Sequence, residues 1–268
     1  MTSKGRLTWV LEPDVLVASH EALAAAARAA GHEVLTWSDD WARDDCWPRR
    51  DGPVLFHGSL GLADRIARES PWSPGAYCAS ADFHCTATWP RLERWLLNER
   101  WRCLPACELV ADPRATLEPL GITGRVFVRP DSPLKPFAGR VVETEGLTLA
   151  SLDHGFYFDD ERLPVVVAPV VDVTHEHRFV VVAREVVAGG RYDGPTRATE
   201  ALPPDPTHER LAREVASELV APEPVYVLDT GESAGEPRVV ELNPFSGADL
   251  HGCDARAIVK AVGESFAS

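Results

Sequence analysis

The chain has 268 residues, a formal net charge of −14 at pH 7, 45% hydrophobic residues and 25% charged residues. This is the composition of an ordinary soluble globular protein, and the length allows one large domain or two modest ones. The excess of acid argues against a nucleic-acid or anionic-membrane partner, since both require a basic surface. Because the sequence shows neither a bilayer-spanning apolar run nor a signal-peptide pattern, we expect a cytoplasmic protein.

The first part of the chain alternates short apolar runs with helix-favouring runs. The predicted elements are strands over 7–12, 34–37 and 54–57 and helices over 20–30 and 61–69. This order predicts a small parallel α/β layer. Residues 58–61 lie between a strand and a helix, as phosphate loops do. They lack the further glycines and the Lys-Ser/Thr pair of such a loop, so we interpret them as a turn.

A connector and a helix are predicted next. Residues 70–90 are rich in Pro, Ser, Cys and Trp, which is typical of an irregular segment. Residues 90–101 predict an amphipathic helix with Pro in its first turn. We place a domain boundary soon after this helix, which gives an α/β domain over 1–105 and a second domain over 106–268. The six cysteines include no Cys-x-x-Cys pair, and we expect free, mostly buried thiols.

The second half of the chain contains pairs of strands with helices between them. The predicted elements are strands over 126–129 and 164–173, hairpins over 178–188 and 225–245, and helices over 207–220 and 254–266. Strand pairs covered by helices indicate an α+β sandwich. The predicted fold class is therefore an α/β domain followed by an α+β domain.

The hairpin near the C-terminal end carries the strongest functional pattern. Side chains alternate along a strand, so Glu241 and Asn243 share one face about 7 Å apart. The Gly-rich residues 230–237 predict a loose loop, and pairing centred near Gly235 would bring Asp229 level with Glu241. Three oxygen ligands, two of them anionic, predict a site for Mg²⁺ carrying a nucleotide phosphate. The alternative is a surface hairpin with solvated acids.

Two cations follow the strand over 126–129. A nucleotide triphosphate needs fixed cations beside its phosphate oxygens and a loop of small residues that can close over them. Arg129 offers a planar fork for two phosphate oxygens, and Lys135 offers a mobile point charge. The alternative is that Arg129 pairs with Asp131 or a neighbouring acid and that Lys135 is solvated.

A third group of charged residues opens the first of the two hairpins. Glu176 and Arg178 share one strand face and could supply a carboxylate for ribose hydroxyls and a guanidinium for phosphate. His175 and His177 share the opposite face and could bind zinc, but no third ligand is apparent nearby. Arg191, at the end of the next strand, is either a clamp on substrate or phosphate or an ordinary exposed arginine.

The order of these features resembles the ATP-grasp superfamily. The matching motifs are Phe-Val-Arg-Pro-Asp-Ser-x-x-Lys, Glu-x-Arg-Phe and Glu-Leu-Asn-Pro-Phe, the last preceded by Asp229. They look closest to the clade in which Arg replaces the usual strand Lys. The resemblance covers residues 106–268 well and 1–105 weakly, where such proteins carry a variable pre-ATP-grasp α/β domain.

The resemblance also implies roles for the nucleotide-binding residues. Arg129 and Lys135 would bind the α- and β-phosphates, and Glu176 would hold the ribose. Adenine would be hydrogen-bonded by the backbone in a hinge between two sheets, formed by Ala168, Pro169, Val170 and Val171.

For the reaction, the resemblance implies that Arg178 and Arg191 lie over the γ-phosphate and an acyl phosphate. Two Mg²⁺ ions would be bound by Asp229, Glu241 and Asn243.

Members of this superfamily typically join a carboxylate to an amine, or less often to a thiol. We therefore expect an ATP-dependent carboxylate–amine ligase that requires ATP and Mg²⁺ and releases ADP and phosphate. Its substrates would be a small-molecule carboxylate and an amine, such as an amino acid or a peptide; the sequence predicts no oligomeric state. One alternative is a nucleotide-binding or immunity-like module with little turnover. Another is a hydrolase that uses Asp229 and Glu241 as a carboxylate pair.

Overall fold

The computed structural model describes residues 6–43, 46–152, 160–192 and 202–266. Within these residues the strands form three four-stranded sheets, which we call the N-terminal, middle and C-terminal sheets. The first residues of the chain, on which the signal-peptide prediction rests, lie outside the described part. Among the described helices, none has the length and apolar character needed to cross a membrane.

The N-terminal sheet is parallel, as predicted. Its strands have the order β2-β1-β3-β4 and are β1 (Thr8–Leu11), β2 (Glu33–Thr36), β3 (Val54–His57) and β4 (Pro74–Gly75). The helices of this part are α1 (Val17–Ala29), α2 (Asp40–Arg43) and α3 (Leu60–Glu69). The backbone amide of Ser59, at the start of α3, donates to the Glu12 carboxylate. A protein acid therefore already occupies this helix end, and of the residues 58–61 that were interpreted as a turn, Leu60 and Gly61 are the first residues of α3.

The middle sheet is antiparallel and has the strand order β5-β8-β6-β7. Its strands are β5 (Arg102–Pro105), β6 (Arg125–Pro130), β7 (Arg140–Glu143) and β8 (Pro164–Ala168). The helices that precede it or lie within it are α4 (Cys85–Leu92), α5 (Ala106–Ala111), α6 (Pro113–Leu117) and α7 (Leu149–Leu152). Since β5 pairs with β8, residues 102–105 belong to this sheet, and the proposed boundary after residue 105 stays a prediction.

The C-terminal sheet is also antiparallel and has the order β10-β9-β11-β12. Its strands are β9 (Thr174–Val182), β10 (Glu185–Arg191), β11 (Val225–Ser233) and β12 (Glu236–Pro244). The helices α8 (Pro206–Glu218) and α9 (Ala255–Ser265) follow β10 and β12. One face of this sheet packs with α8 and α4, and the other packs with α9, α1 and the N-terminal sheet.

The helix predicted over residues 90–101 is wrong, and the irregular connector ends earlier than predicted. Helix α4 ends at Leu92 and contains Pro90. Residues after it pair with the edge of β12, where the Leu97 amide donates to the Val239 carbonyl at 2.8 Å. The start of α4 is fixed by Asp131, whose Oδ1 accepts from the Thr86 amide at 2.8 Å. Both partners are distant in sequence, so local helix propensity could not predict these boundaries.

Two other predicted boundaries differ from the structure. Strand β8 ends at Ala168 and not at residue 173, and residues 169–173 cross from the middle sheet to the C-terminal sheet. Pro169 lacks the N–H that would continue the strand ladder. The loop of the β11–β12 hairpin is shorter than predicted. It consists of Ala234 and Gly235, whose φ angles of 52° and 82° are those of a tight two-residue hairpin turn.

Glu223 connects the segment before β11 to the N-terminal part of the chain. Its Oε1 accepts from the Ala79 amide at 3.2 Å, whereas its buried Oε2 has no hydrogen-bond partner among the described residues. Burial raises the pKa of Glu223 from 4.5 to about 7. A carboxyl group with a raised folded-state pKa stabilises the fold below its unfolded value of 4.5. That contribution is lost as the pH rises through about 7.

We therefore expect Glu223→Gln to raise the melting temperature at pH 8 and to change it little at pH 5, because the substitution removes the charge without removing volume. The exposed Glu21→Gln on α1 is the control and should show no such difference. Thermal unfolding at both pH values measures the effect. Equal shifts at the two pH values would contradict the raised pKa.

Candidate functional site

Polar residues form a row across the C-terminal sheet. Gly190, Arg178, Asp229 and Glu241 are successive register partners on β10, β9, β11 and β12. The predicted register of the hairpin, with Asp229 level with Glu241, is confirmed. Gly190 has no side chain, so the row places one cation, Arg178, next to two acids, Asp229 and Glu241.

Arg178 and Asp229 form a buried, two-pronged ion pair. The guanidinium Nε donates to Oδ1 at 2.8 Å, and Nη2 donates to Oδ2 at 2.6 Å. A third nitrogen, Nη1, donates to the backbone carbonyl of Asp249. Burial acts to lower the pKa of Arg178, but the Asp229 carboxylate outweighs it, so the pKa is raised. Arg178 is therefore a permanent cation with a fixed orientation.

Glu241 is bound by two cations from the middle sheet. Its Oε2 lies 2.7 Å from Nη1 of Arg129, and its Oε1 lies 2.8 Å from Nζ of Lys135. Burial acts to raise the pKa of Glu241, but Lys135 and Arg129 outweigh it and lower the pKa. The alternative of solvated acids is wrong, since the exposed fraction of the side chain is 13% for Glu241 and 2% for Asp229.

Asn243 connects the two acids. Its Nδ2 donates to Oδ2 of Asp229 at 2.9 Å and to Oε1 of Glu241 at 3.0 Å. Its Oδ1 accepts from Nζ of Lys135 at 3.3 Å. The three residues predicted as metal ligands therefore form one contiguous group on a single face of the hairpin.

One interpretation of the sequence was that Arg129 pairs with Asp131, but Arg129 pairs with Glu241 instead. The carboxylate of Asp131 is buried and accepts from the amide and hydroxyl of Thr86, at 2.8 and 2.9 Å. It also lies 3.0 Å from Nδ1 of His84. Asp131 thus holds the end of β6 against α4, and Arg129 is left to face the cleft.

A cleft separates the middle and C-terminal sheets. Its apolar walls include Phe127, Val141, Val171 and Val173, and its polar end contains Arg129, Lys135, Glu176 and Glu241. Burial, together with the nearby charges of Asp229 and Glu241, raises the pKa of Glu176.

The predicted adenine hinge corresponds to the end of β8 and the crossing segment 169–173. Of its residues, Val171 lines the cleft, whereas Ala168 is fully buried at the end of β8. The crossing does connect two sheets, as predicted. The roles assigned to these residues stay predictions.

Arg191 lies apart from this group. It is the register partner of His177, so its side chain belongs to the face opposite Arg178. Its Nη2 contacts Nδ1 of His175. The structure therefore does not bring Arg191 to Asp229 and Glu241, and its assigned place over an acyl phosphate stays a prediction.

The histidines of β9 do not form the zinc site that was considered. His177 is fully buried and stacks on His208 of α8, with ring centroids 4.0 Å apart. In the described part of the chain, no group of three or more His, Cys, Asp or Glu residues is arranged to hold a metal ion. All six cysteines are free, as expected. Cys103 lies in β5 and Cys107 in α5, so these two thiols, four residues apart, do not share a helix face.

Sequence reasoning missed two residues beside Arg178. The ring of Tyr192 lies 5.7 Å from the guanidinium carbon, and the Asp249 carbonyl accepts from Nη1. Burial raises the pKa of Tyr192, so its hydroxyl stays protonated. Two positions in the sequence could have indicated these residues. Tyr192 directly follows β10, and Asp249 lies in the segment after the predicted metal-binding strand.

The residues fit a magnesium nucleotide in their chemistry. Carboxylate and amide oxygens are the donors that Mg²⁺ prefers, and Asp229, Glu241 and Asn243 place such oxygens together. Arg129 and Lys135 reach the same place from the middle sheet, at the polar end of a cleft with apolar walls. Such a cleft suits a ligand with an aromatic base and an anionic chain.

A profile of the ATP-grasp domain matches residues 112–261, and it describes the second family of the clade in which Arg replaces the usual strand Lys. Among solved structures, the chain resembles a RimK domain protein ATP-grasp from Sphaerobacter thermophilus DSM 20745, with a TM-score of 0.64 and 20% identity over 95% of this chain and 99% of that chain. It also resembles D-alanine–D-alanine ligase from Bacillus anthracis complexed with ATP, with a TM-score of 0.62 and 15% identity over 99% and 98% of the two chains.

A third similar structure is D-cycloserine synthetase DcsG, with a TM-score of 0.60 and 17% identity over 98% of this chain and 100% of that chain. At such identities the likeness shows the fold alone. No curated protein sequence matches this chain significantly. The matched residues make up more than half of the chain and include Arg129 and Lys135, residues 168–171 and the β11–β12 hairpin. The chain therefore belongs to the ATP-grasp domain family, in the second family of the Arg-for-Lys clade.

Proposed function

We propose that this protein is an ATP-dependent carboxylate–amine ligase that acts through an acyl phosphate and releases ADP and phosphate. The observation that carries the proposal is the contiguous group in which Arg129, Lys135 and Arg178 face Asp229 and Glu241. Ligases such as D-alanine–D-alanine ligase and D-cycloserine synthetase DcsG share the fold. An amino acid or a peptide is therefore the class of substrate that we favour.

Different residues of the cleft would bind the phosphates, the ribose and the adenine of the nucleotide. Arg129 would donate two parallel hydrogen bonds to phosphate oxygens, and Lys135 would add a point charge. Glu176, at the polar end of the cleft, would accept from the ribose hydroxyls. The adenine ring would lie against the apolar walls, hydrogen-bonded to the backbone of residues 168–171.

The pairing of the charged side chains suggests how phosphate binding and metal binding are linked. Arg129 and Lys135 now neutralise Glu241, which prevents this acid from repelling a triphosphate. Asp229, Glu241 and Asn243 would hold Mg²⁺, which when bound supplies positive charge that stabilises the transferred phosphoryl group. Once Mg²⁺ neutralised Glu241, Arg129 and Lys135 would no longer be needed by this acid and would be available to phosphate oxygens.

The reaction would have two steps. A carboxylate oxygen of the substrate attacks the γ-phosphorus of ATP, the bond to the bridging oxygen breaks, and ADP leaves. The amine nitrogen then attacks the acyl carbon, the carbon–oxygen bond to phosphate breaks, and the nitrogen loses a proton. Arg178 has a fixed guanidinium beside Asp229, where it can stabilise the negative charge that develops in both steps.

The hydrolase alternative is poorly supported by this geometry. A carboxylate-pair hydrolase needs one carboxyl group that keeps its proton near neutral pH. Lys135 and Arg129 instead lower the pKa of Glu241, and Arg178 engages both oxygens of Asp229. Glu241 is therefore not suited to donate a proton, and both oxygens of Asp229 are occupied by Arg178. A binding module without turnover is the remaining alternative, and the next experiment distinguishes it.

Hydroxylamine should intercept the acyl phosphate. In a mixture of protein, Mg-ATP and a pool of amino acids and other carboxylic acids, we expect a hydroxamate and an equal amount of ADP. Omission of the acids should remove both products. Formation of AMP and pyrophosphate in place of ADP would contradict the acyl-phosphate mechanism. Mg-ATP binding without any acid-dependent ADP would support the module instead.

A further inference from the structure

We propose that Asn98 recognises the base of the nucleotide, with its side-chain amide hydrogen-bonded to the 6-amino group and to N7 of adenine. This inference rests on the proposed ATP-dependent function and specifies how the nucleotide is selected. Among the described residues that line the cleft, Asn98 is the polar residue without a charge. The charged ones are Arg129, Lys135, Glu176 and Glu241, which we assign to the phosphates, the ribose and the metal.

Asn98 lies at the end of the cleft where the adenine hinge is predicted. It belongs to residues 98–101, which lead into β5, while the hinge follows β8. These strands are antiparallel neighbours in which Arg102 is the register partner of Val167, so both segments leave the middle sheet at the same end. Asn98 is four residues before Arg102, Val171 is four residues after Val167, and both line the cleft. A base bound to the hinge would therefore lie beside Asn98.

The backbone that precedes Asn98 is fixed to the C-terminal sheet. The Leu97 amide donates to the Val239 carbonyl at 2.8 Å, and the Val239 amide donates to the Trp95 carbonyl at 2.8 Å. The side chain of Leu96 is buried in the core on the α8 and α4 face of this sheet. A segment anchored in this way can position a side chain accurately toward a ligand.

The side-chain amide of Asn98 is nearly buried, and no group in the described part of the chain hydrogen-bonds to it. The residue is 7% exposed. Its Nδ2 and Oδ1 are not among the polar atoms that are sealed from solvent, so they reach solvent through the cleft that the residue lines. Buried polar groups are normally hydrogen-bonded. The amide is therefore suited to a ligand that presents one acceptor beside one donor.

Adenine presents such a pair on the edge that carries N7. Its N7 accepts and its 6-amino group donates, a pattern that asparagine matches with two hydrogen bonds, whereas guanine presents two acceptors, O6 and N7. Nδ2 of Asn98 would donate to N7, and Oδ1 would accept from the 6-amino group. The second hydrogen of this amino group and N1 remain for the backbone of residues 168–171. Asn98 should therefore favour adenine over guanine.

A purely structural role for Asn98 makes a different prediction. If the amide only held residues 98–101 in place, its replacement would weaken the binding of every nucleotide by the same factor. Loss of a hydrogen bond to N7 instead changes the ratio of the affinities for ATP and 7-deaza-ATP, in which a C–H group replaces N7. Because both affinities are measured on one variant, partial unfolding cancels from this ratio.

Calorimetric titration with the magnesium complexes of ATP, 7-deaza-ATP and GTP tests the proposal. We expect wild type to bind ATP about tenfold more tightly than 7-deaza-ATP, as a specific contact with a base edge provides. Asn98→Ala should bind ATP about tenfold more weakly than wild type and should bind ATP and 7-deaza-ATP equally. Its preference for ATP over GTP should also fall by about tenfold.

Asn98→Asp should reverse the preference, which a loss of packing cannot do. The introduced carboxylate keeps an acceptor for the 6-amino group, but its second oxygen would face the lone pair of N7. At pH 8, far above the ordinary carboxyl pKa of about 3.9, this variant should therefore bind 7-deaza-ATP more tightly than ATP. Glu99→Ala, at an exposed position outside the described lining, is the matched control and should bind all three nucleotides like wild type.

Equal binding of ATP and 7-deaza-ATP by wild type, or the wild-type ratio in Asn98→Ala, would overturn the proposal. The hydroxylamine assay on the same samples distinguishes this result from failure of the proposed function. If acid-dependent ADP forms while no ratio changes, the assignment of Asn98 is wrong and the proposed function stands. If the ratios change as expected but no acid-dependent ADP forms, Asn98 recognises the base and the ligase function is wrong.

Discussion

Glu241→Gln is expected to abolish acid-dependent ADP formation and to make ATP binding insensitive to EDTA. In wild type, Arg129 and Lys135 are engaged with Glu241, at 2.7 and 2.8 Å. A neutral glutamine both removes a proposed metal ligand and frees these cations for phosphate oxygens. Calorimetric titration of ATP with and without Mg²⁺ measures the binding, and nucleotide chromatography measures ADP.

The same substitution should also lower the free energy of unfolding by about 3 kcal/mol, because it leaves two cations, one of them buried, without their anion. Glu236→Gln, on the exposed start of the same strand, is the matched control and should change neither activity nor stability. Turnover within tenfold of wild type in Glu241→Gln would contradict the assigned metal site.

Arg178→Ala should be the most destabilising single substitution at the site. Asp229 is 2% exposed and would lose both of its arginine hydrogen bonds. Breaking a buried pair by removing one partner costs about 3–5 kcal/mol, a large part of the stability of a typical domain. Urea unfolding measures this loss. Arg213→Ala, which removes an exposed pair with Glu209, is the control and should cost at most about 1 kcal/mol.

A double variant tests whether the lost stability comes from the uncompensated charge of Asp229. Arg178→Met with Asp229→Asn removes both charges, so most of the lost stability should return. Turnover should stay absent, because Asp229 is also a proposed metal ligand, and its recovery would contradict the roles proposed for both residues. Equal stability of Arg178→Ala and Arg213→Ala would contradict the burial argument.

The Asp229–Glu241 register was predicted correctly, although the loop was not. The two-residue turn pairs Thr230 with Val239, and a register shift between Asp229 and Thr230 then brings Asp229 opposite Glu241. The parallel N-terminal sheet follows from the order of strands and helices.

The features that depend on distant partners could not be predicted. Helix α4 begins where Asp131 accepts from the Thr86 amide, and the residues after it are held by Val239 on β12. The partner of Arg129 is Glu241, on another sheet, although Asp131 lies much nearer in sequence. Asp249 escaped notice because its contact with Arg178 uses a backbone carbonyl, which any residue type provides.

The route of the chain between the two antiparallel sheets limits how the cleft can change shape. The backbone passes from the edge of β12 to β5 through residues 98–101, and from β8 to β9 through residues 169–173. Asn98 and Val171, one from each passage, both line the cleft. Two attachment points define an axis, so the easiest relative motion is a rotation about the line that joins them. The ion pairs of Glu241 with Arg129 and Lys135 join the same two sheets and oppose such a rotation.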